Sequence, residues 1–545
     1  MKHIIQNKSV FKACIFLCCF AVLFSSCKKY LTEKPTTSFS ADFVYNTPDG
    51  LELGVVALYN LYRSFYEDGE WNSTVPFLLQ AKSDLVIGRT GETSLFSILT
   101  WGASLSDYGT TRYGFYWDTY YKIIDRANAV IKGAENVQGI SEDQRNQILS
   151  EAKCFRAQSY FILYRLFNNI FVTTEPTTPE NAFNIINNKS PEDSIFGLIN
   201  SDLDFAISHL SWTTPDFGRF TQATARHIKA KVAMWQQNWQ EAKTQSEAVI
   251  NSGFYSLVPN TKDVFKGDLN NSETLWAIQY ESLTFGGGSP NRFNFLSIPQ
   301  YGAIPGSQYD NSEGGRGAGF LLLNNYLRDL LAQDPNDDRA NNSYYISYFT
   351  YNDPTTLPPG VNIGDTIRVY NEFSTSASER SNWFARLNPG CRKFSQDDAI
   401  PTQASQIKNI MVYRLAETYL IAAEATWRIS QNNSDALALQ YLNAVRERAH
   451  AAPLDTIDQQ TILDERGREL AFEGQRWYTL KRMGVMISQM QQYAGYGAPG
   501  IDPPAFPVPR QVQARTRIQP YMVNWPIPVA EIRLLGPNYP QNEGY

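Results

Sequence analysis

Apolar residues in the first half of the chain recur at helical spacing. Leu51, Val55 and Leu58 step by four and three after a Thr-Pro-Asp start signal at 47–49. Such steps place side chains on one face of a helix. Three further stretches keep this spacing: Tyr120 to Ala134, Ile148 to Leu166 and Ile195 to Leu210. The pattern predicts a succession of amphipathic helices, so we expect a mainly α-helical protein.

Two later segments predict helices in pairs. The first pair runs from Thr221 to Gly253 with a tight turn in the middle. Ala230 and Ala242 stand where a tetratricopeptide repeat has small residues that let its two helices approach closely. The second pair, 410–429 followed by 434–449, matches that repeat more loosely. We therefore expect tetratricopeptide-like helical pairs within the scaffold.

The stretch 283–406 breaks this regularity. It contains three consecutive glycines at 286–288, a Pro-Pro step at 358–359 and many Asn, Ser and Tyr residues, which predicts loops and short strands. Loops held on a rigid frame are where binding residues concentrate. We expect a single domain over 41–545, made of a helical scaffold (41–282 and 407–495), a loop-rich ligand-binding region (283–406) and an irregular C-terminal segment (496–545).

The N-terminus has the pattern of a bacterial lipoprotein signal. Basic residues up to Lys12 precede an apolar run at 13–24, and two serines stand directly before Cys27. The run is shorter than the roughly 20 residues of a membrane span. We therefore expect residues 1–26 to be a cleaved signal peptide, Cys27 to carry lipid and residues 27–40 to form a polar tether. A plain secretory signal, in which Cys27 is incidental, is the alternative.

Composition narrows the classes of function. Apart from the signal and Cys27, the chain has only Cys154 and Cys391, and we predict two buried free thiols because a large core needs no cross-link. The net charge is −6 and no basic patch appears, so we expect no nucleic-acid partner. Aromatic residues make up 13% of the chain, a surplus that suits stacking on ligands as well as packing.

The sequence contains no motif for a nucleophilic serine, a zinc-binding helix or a phosphate-binding loop. We therefore expect no catalytic residue, no metal and no cofactor. The charged run from Glu465 to Arg476 predicts a helix face with i, i+3 ion pairs, such as Glu465 with Arg468 and Glu473 with Arg476. A lipid-anchored glycoside hydrolase is the alternative class, since its two carboxylates need no local motif.

Aromatic residues in predicted loops are the candidates for ligand binding. A sugar ring has apolar C–H faces and hydroxyl edges, which an aromatic plane beside amide or guanidinium donors satisfies. The candidates are Trp71, Trp101, Tyr108, Tyr309 and Trp383. Trp101 and Trp383 lead because their segments lack the helical stripe of core positions. Alternatively, each tryptophan anchors its loop to the frame.

Several ordered motifs lie near the two ends of the chain. They are Cys27 with Leu31-Thr-Glu-Lys-Pro35, Arg414-Leu-Ala-Glu-Thr-Tyr-Leu, Leu442-Asn-Ala-Val-Arg-Glu-Arg-Ala449, the run from Glu465 to Trp477, and Trp525-Pro-Ile-Pro528. Together they resemble the SusD/RagB family of outer-membrane lipoproteins. The resemblance covers nearly the whole chain after Cys27 and is weakest at 283–406.

The resemblance implies both a fold and a function. The expected fold is a mainly α scaffold of tetratricopeptide-like pairs with an irregular region of loops and short strands. The expected function is non-enzymatic capture of a nutrient, above all an oligosaccharide, for a SusC-like TonB-dependent transporter. The protein would sit at the outer membrane, lipid-anchored and facing the cell exterior. A peptide ligand, as in some relatives, is the alternative to a glycan.

Overall fold

A computed structural model describes residues 41–67, 78–88, 108–281, 289–495, 515 and 517–545 of the 545-residue chain. The expected signal peptide, Cys27 and the tether lie outside these residues. Within the described ranges, no helix combines the length and apolar character needed to cross a membrane.

The described chain is mainly helical, as the apolar spacing predicts. In chain order its helices are α1 (Ala41–Asn46), α2 (Pro48–Ser64), α3 (Leu78–Ala81), α4 (Tyr108–Asn136), α5 (Glu142–Phe167), α6 (Glu192–His209), α7 (Gln222–Trp235), α8 (Trp239–Ile250), α9 (Thr261–Val264), α10 (Phe293–Ser297), α11 (Asn325–Ala332), α12 (Ala377–Arg386), α13 (Leu415–Ser430), α14 (Ala436–Arg448), α15 (Gln459–Leu470), α16 (Arg476–Arg482), α17 (Met486–Tyr493) and α18 (Val529–Leu534).

Short antiparallel strand pairs supplement the helices. The strands are β1 (Val86–Gly88), β2 (Thr274–Ile278), β3 (Leu321–Leu323), β4 (Tyr345–Ile346), β5 (Gly390–Cys391) and β6 (Ile410–Arg414). β1 pairs with β3, β2 with β6 and β4 with β5. The β2–β6 pair brings together the two points where the loop-rich region leaves and rejoins the scaffold.

The long helices α4 and α5 form the centre of the first half. α5 begins at Ser141, whose side chain accepts a hydrogen bond from the backbone N–H of Gln144 (3.2 Å) and so satisfies one of the unpaired donors of the first turn. Ile148 and Phe155 on its apolar stripe are fully buried. Cys154 beside them and Cys391 are buried free thiols, which confirms the prediction. Burial raises the pKa of both thiols, so neither is a reactive thiolate at neutral pH.

The predicted helical pairs are present. α7 packs against α8, and α13 packs against α14. Ala230 and Ala242 are fully buried in one small apolar cluster with Ile421 and Ala425, so small side chains let α7, α8 and α13 approach one another. The mainly helical fold is confirmed, while its kinship with the tetratricopeptide repeat stays a prediction.

The charged run from Glu465 to Arg476, which begins in α15, corrects the expected surface pattern. Glu465 does pair with Arg468 (3.1 Å), but Glu473 and Arg476 do not pair with each other. Glu473 instead binds Arg414 (2.8 Å), and Arg476 binds Asp84 of the 82–85 turn. The carboxylates of Glu465 and Glu469 are fully buried, so the charges point into the protein.

These side chains belong to a buried ion network that joins three parts of the chain. Glu469 accepts hydrogen bonds from Arg339 (2.9 Å) and Arg414 (2.6 Å), and also from Arg448. Arg339 comes from the loop-rich region, Arg414 from the end of β6 and Arg448 from the end of α14. Because a buried charge is tolerated only when it is paired, the network fixes how these elements meet.

The C-terminal segment is clasped onto α5. The backbone N–H of Trp525 donates to the carbonyl of Leu166 (2.7 Å), and the side-chain amide of Asn542 donates to the carbonyl of Trp525 (2.7 Å). The Trp525 ring, 1% exposed, lies between Tyr113 (4.8 Å between centroids) and Trp477 (5.9 Å). The part of the irregular segment from Trp525 to Asn542 therefore contributes to the core.

Candidate functional site

The structure places the five predicted binding aromatics differently. Trp71 and Trp101 lie outside the described residues. Tyr108 begins helix α4 and is not in a loop, and nothing is described of its side chain. Tyr309 lies in a loop between two 3-10 turns, as predicted.

Trp383 lies on helix α12, so its predicted loop position is wrong. The helix begins at Ser376, whose side chain accepts from the backbone N–H of Glu379 (3.4 Å). The first turns of this helix are polar and carry no long apolar stripe. Only Arg380 and Phe384 of the helix are buried. A helix that buries so little of one face gives the apolar period almost no signal.

Tyr309 is held against the backbone of its own loop. Its ring meets that of Tyr301 edge to face, with 5.3 Å between centroids. A Cβ atom added at Gly302 would fall 2.8 Å from the Tyr309 ring, so the ring rests directly on the Gly302 backbone. Glycine is needed there for close approach, and the ring plane is fixed by it.

Trp383 is positioned by an arginine. The Arg328 guanidinium lies 5.1 Å from the centre of a Trp383 ring, within the range of a cation–π interaction. Arg328 in turn donates two hydrogen bonds to the carboxylate of Glu372 (2.8 and 3.1 Å). The ion pair with Glu372 thus fixes the Arg328 guanidinium, and that guanidinium fixes the Trp383 indole.

The two rings belong to the same packed group. Tyr309 and Trp383 are both half-buried against an apolar cluster formed by Tyr301, Phe349 and their neighbours. The backbone N–H of Gln300 donates to the carbonyl of Ala385 (2.9 Å), which ties the 301–303 turn to α12. The structure therefore brings together two candidates that are 74 positions apart in the chain.

Three further residues of this group were not predicted from the sequence. The Arg386 guanidinium donates to the hydroxyl of Tyr370 (2.9 Å) and lies 5.6 Å from the centre of its ring. Arg316 is exposed and follows Tyr309 in the same loop-rich region. Trp383 and Arg386 are three residues apart on one helix, a spacing that shares a face. The sequence indicates this shared face only after the helix itself has been recognised.

We call this group the aromatic surface and define it as Tyr309, Tyr370, Trp383, Arg316 and Arg386. Burial raises the pKa of the Tyr309 hydroxyl, while the positive charges of Arg316 and Arg386 lower it and so offset part of that rise. Tyr309 therefore stays a neutral hydroxyl at physiological pH. The surface offers aromatic faces beside guanidinium donors, the combination that a sugar ring requires.

Two nearby carboxylates already have partners within the protein. Glu372 accepts both hydrogen bonds from Arg328, and Glu313 accepts from the backbone N–H and the hydroxyl of Thr350 (2.8 and 2.6 Å). A glycosidase needs one carboxylate to give or take a proton and another to attack or activate water. Glu372 is engaged through both oxygens, whereas Glu313 uses only Oε1 for Thr350, and burial raises the pKa of its carboxyl.

A separate cavity of about 420 Å³ lies beside α2 and β2. Its aromatic walls include Tyr59 and Trp276. The Tyr59 hydroxyl donates to buried Glu151 (2.6 Å), and the Trp276 indole N–H donates to the carbonyl of Gly218 (2.8 Å). The polar groups of these two aromatic walls are therefore satisfied internally.

Comparisons with known proteins agree over most of the chain. A family model described as the SusD family matches residues 272–545, and one described as starch-binding associating with outer membrane matches 66–234. SusD-like protein P25 of Formosa agariphila is 26% identical and covers 97% of each chain. Starch-binding protein SusD of Bacteroides thetaiotaomicron is 31% identical over 25% of this chain and 22% of its own length.

Solved structures show the same fold. A SusD homolog from Bacteroides thetaiotaomicron superposes with a TM-score of 0.73 at 20% identity, covering 93% of this chain and 99% of that one. A laminarin-binding SusD-like protein superposes with a TM-score of 0.69 at 22% identity, covering 92% of this chain and 100% of that one.

Proposed function

Because the chain belongs to the SusD family, we propose that it is a non-catalytic outer-membrane lipoprotein that binds a glycan and passes it to a SusC-like TonB-dependent transporter. Relatives whose names specify a ligand support the glycan, since they bind starch or laminarin. The aromatic surface is the observation that carries the proposal. It presents half-buried rings and arginine donors from elements that the fold holds in fixed positions.

The way in which the two central rings are held supports glycan binding. Tyr309 lies on the Gly302 backbone, and Trp383 lies against an arginine that is itself paired. Rings fixed in this way lose little conformational entropy when a sugar stacks on them. Trp71 and Trp101 stay predicted contributors to the same function, and Tyr108 stays a weaker one.

Replacing Trp383 or Tyr309 with alanine is expected to weaken glycan binding by about 1 to 3 kcal/mol, because each change removes a stacking face at the centre of the site. Trp101→Ala is expected to act in the same direction. Calorimetry with an oligosaccharide that the parent protein binds measures the loss, and thermal melts measure any cost to folding.

The matched control is Trp239→Ala. Trp239 is also half-buried and has an arginine, Arg428, 5.6 Å from its ring centre, but it lies on α8 of the scaffold. We expect it to change stability as much as Trp383→Ala does, with no loss of binding. Full binding by both Trp383→Ala and Tyr309→Ala, or time-dependent cleavage of the sugar by the parent protein, would contradict the proposal and favour the hydrolase. Binding of peptides in place of sugars would favour the peptide-binding alternative.

Cys27 is proposed as the membrane attachment. A diacylglycerol on its sulfur and an acyl chain on its amine would give stable anchoring where one chain gives only marginal binding. Residues 27–40 would then tether the folded body at the cell exterior, with a reach of up to about 3.5 Å per residue.

In cells that lack the transporter, Cys27→Ser is expected to move the protein from the outer-membrane fraction to the soluble fraction. Cys19→Ser, a substitution inside the expected signal peptide, is the control and should leave the protein with the membranes. Fractionation followed by immunoblotting gives the answer. A Cys27→Ser protein that still sediments with outer membranes would show that another anchor exists.

The transporter is proposed as a partner on family membership alone. A binding protein that is not an enzyme needs a route for its ligand across the outer membrane, and a SusC-like barrel would supply it. The aromatic surface would then hold the sugar until the barrel accepts it.

A further inference from the structure

Arg316 and Arg386 differ from many arginines of this protein in having no acidic partner. Among the described residues, no carboxylate oxygen lies within ion-pair distance of either guanidinium. Arg316 donates to the carbonyl of Thr402 (3.0 Å), and Arg386 donates to the hydroxyl of Tyr370 (2.9 Å). Each guanidinium carries five N–H donors, so each retains donors and its full positive charge.

Nearby Arg328 shows the contrasting arrangement. Its charge is neutralised by two hydrogen bonds to Glu372, and its role is to hold Trp383. The aromatic surface therefore contains two arginines without an acidic partner and adjoins a third, Arg328, that has one.

The segments that carry the two unpaired arginines lie side by side. The loop after Arg316 packs so closely on the 298–299 backbone that a Cβ atom at Gly317 would collide with the carbonyl of Ile298. Gly319, two residues after Gly317, approaches the carbonyl of Ala385. Ala385 directly precedes Arg386. Both positive charges also act on the hydroxyl of Tyr309. Tyr309 thus lies within the field of both arginines.

The negative charge closest to Tyr309 in the chain is directed into its own turn. The carboxylate of Asp310 caps the 311–313 turn by accepting from the backbone N–H of Ser312 (2.7 Å) and from its hydroxyl. The Asp310 carboxylate is therefore engaged within its own turn, and the charges that act on the Tyr309 hydroxyl, those of Arg316 and Arg386, are both positive. The whole chain has a net charge of −6, so the molecule as a whole repels anions. The aromatic surface, in contrast, is locally positive.

We infer that the aromatic surface selects a glycan that carries negative charge, a uronate carboxylate or a sulfate ester, and that Arg316 and Arg386 bind it. Planar guanidinium groups match both oxyanions with paired hydrogen bonds. The rings would stack on the sugar, and the arginines would bind its negatively charged group. This inference rests on the proposed glycan binding and specifies the class of glycan.

The test uses the full-length protein purified in detergent and pairs of oligosaccharides of equal length. One arm compares oligogalacturonates with their carboxyl-reduced forms, and a second compares sulfated carrageenan oligosaccharides with desulfated ones. Neutral laminarin and starch oligosaccharides complete the panel. We expect a charged member to bind at least about tenfold more tightly than its neutral counterpart, and its affinity to fall as salt is added.

Two variants then test whether Arg316 and Arg386 recognise the negative charge of the sugar. Arg316→Gln and Arg386→Gln are each expected to weaken binding of the charged oligosaccharide about tenfold, while neutral counterparts bind as before. Arg316 is exposed, so its variant should fold normally even if Arg386→Gln, which also loses the Tyr370 contact, melts earlier. Arg533→Gln, an exposed arginine on α18, removes the same charge elsewhere and should change nothing.

Three outcomes overturn the inference. Neutral oligosaccharides that bind as tightly as charged ones, or arginine variants that bind the charged sugar normally, would leave glycan binding intact and remove its charge selection. Absence of binding to every sugar, charged and neutral, would overturn both this inference and the proposed function.

Discussion

Glu469→Gln is expected to lower the free energy of unfolding by about 3 to 5 kcal/mol, because it removes from the buried network the one negative charge that three guanidinium groups share. The Glu469 carboxylate accepts hydrogen bonds from Arg339, Arg414 and Arg448. A glutamine of the same shape carries no charge and has one acceptor oxygen where the carboxylate has two. Three guanidinium groups would then face a neutral amide in the interior. Urea denaturation followed by circular dichroism measures the loss.

Glu175→Gln is the control for this change. Glu175 pairs with Lys132 (2.5 Å), but both side chains are more than half exposed. Exposed ion pairs contribute roughly 0 to 1 kcal/mol, so this variant should unfold almost as the parent does. Equal losses for the two variants would show that burial does not set the contribution of Glu469.

The same carboxylate predicts a dependence on pH. Burial raises the pKa of Glu469, but the positive charges of Arg448, Arg414 and Arg339 lower it further, to well below the ordinary value. In the unfolded chain a glutamate titrates near about 4.3. The stability it contributes is therefore fully present above that pH and is lost as the pH falls through the folded pKa. The gap in stability between parent and Glu469→Gln should narrow in that acid range.

Trp525→Ala is expected to destabilise the protein by about 3 to 5 kcal/mol, the usual cost of truncating a buried tryptophan. The ring is 1% exposed and touches aromatic neighbours on α4, α5 and α16. Its loss would leave a cavity where the C-terminal segment is clasped to α5. We expect a lower urea midpoint and faster proteolysis of the C-terminal segment.

Phe183→Ala provides the comparison for Trp525→Ala. Phe183 is also a large aromatic residue, but its side chain is 91% exposed, and surface substitutions usually change stability by less than about 0.5 kcal/mol. A Trp525→Ala protein that unfolds at the same urea concentration as Phe183→Ala would show that the clasp does not support the core.

The helical scaffold was predictable because its signal is local. Ile148 and Phe155 recur at helical spacing and are both fully buried, and Ala230 with Ala242 marked a close helix contact that the structure contains. The ion network was not predictable in this way. Glu465 binds Arg339, which is 126 positions away in the chain, and no periodicity within α15 indicates so distant a partner.

The candidate site was predictable in part for the same reason. Tyr309 lies in a glycine-rich loop, as the composition indicated, and the structure brings it together with Trp383. The helix that carries Trp383 was missed because it buries little of its surface. Arg386 was missed with it, since an arginine is recognised as part of a site only through its neighbours. Trp71 and Trp101 lie outside the described residues and stay predictions.

The pairing of β2 with β6 has an evolutionary consequence. Ile278 and Ile410 are register partners, so everything between them leaves the scaffold and returns to it at adjacent points of one strand pair. Lengthening a loop whose ends are already fixed costs little, since each doubling adds only about 0.6 kcal/mol of closure entropy. Natural variation is therefore free to remodel the region between β2 and β6 while the helices stay in place. A single scaffold of this kind can acquire new binding specificities when the region between β2 and β6 is exchanged. Each version must retain Arg339, which binds Glu465 and Glu469.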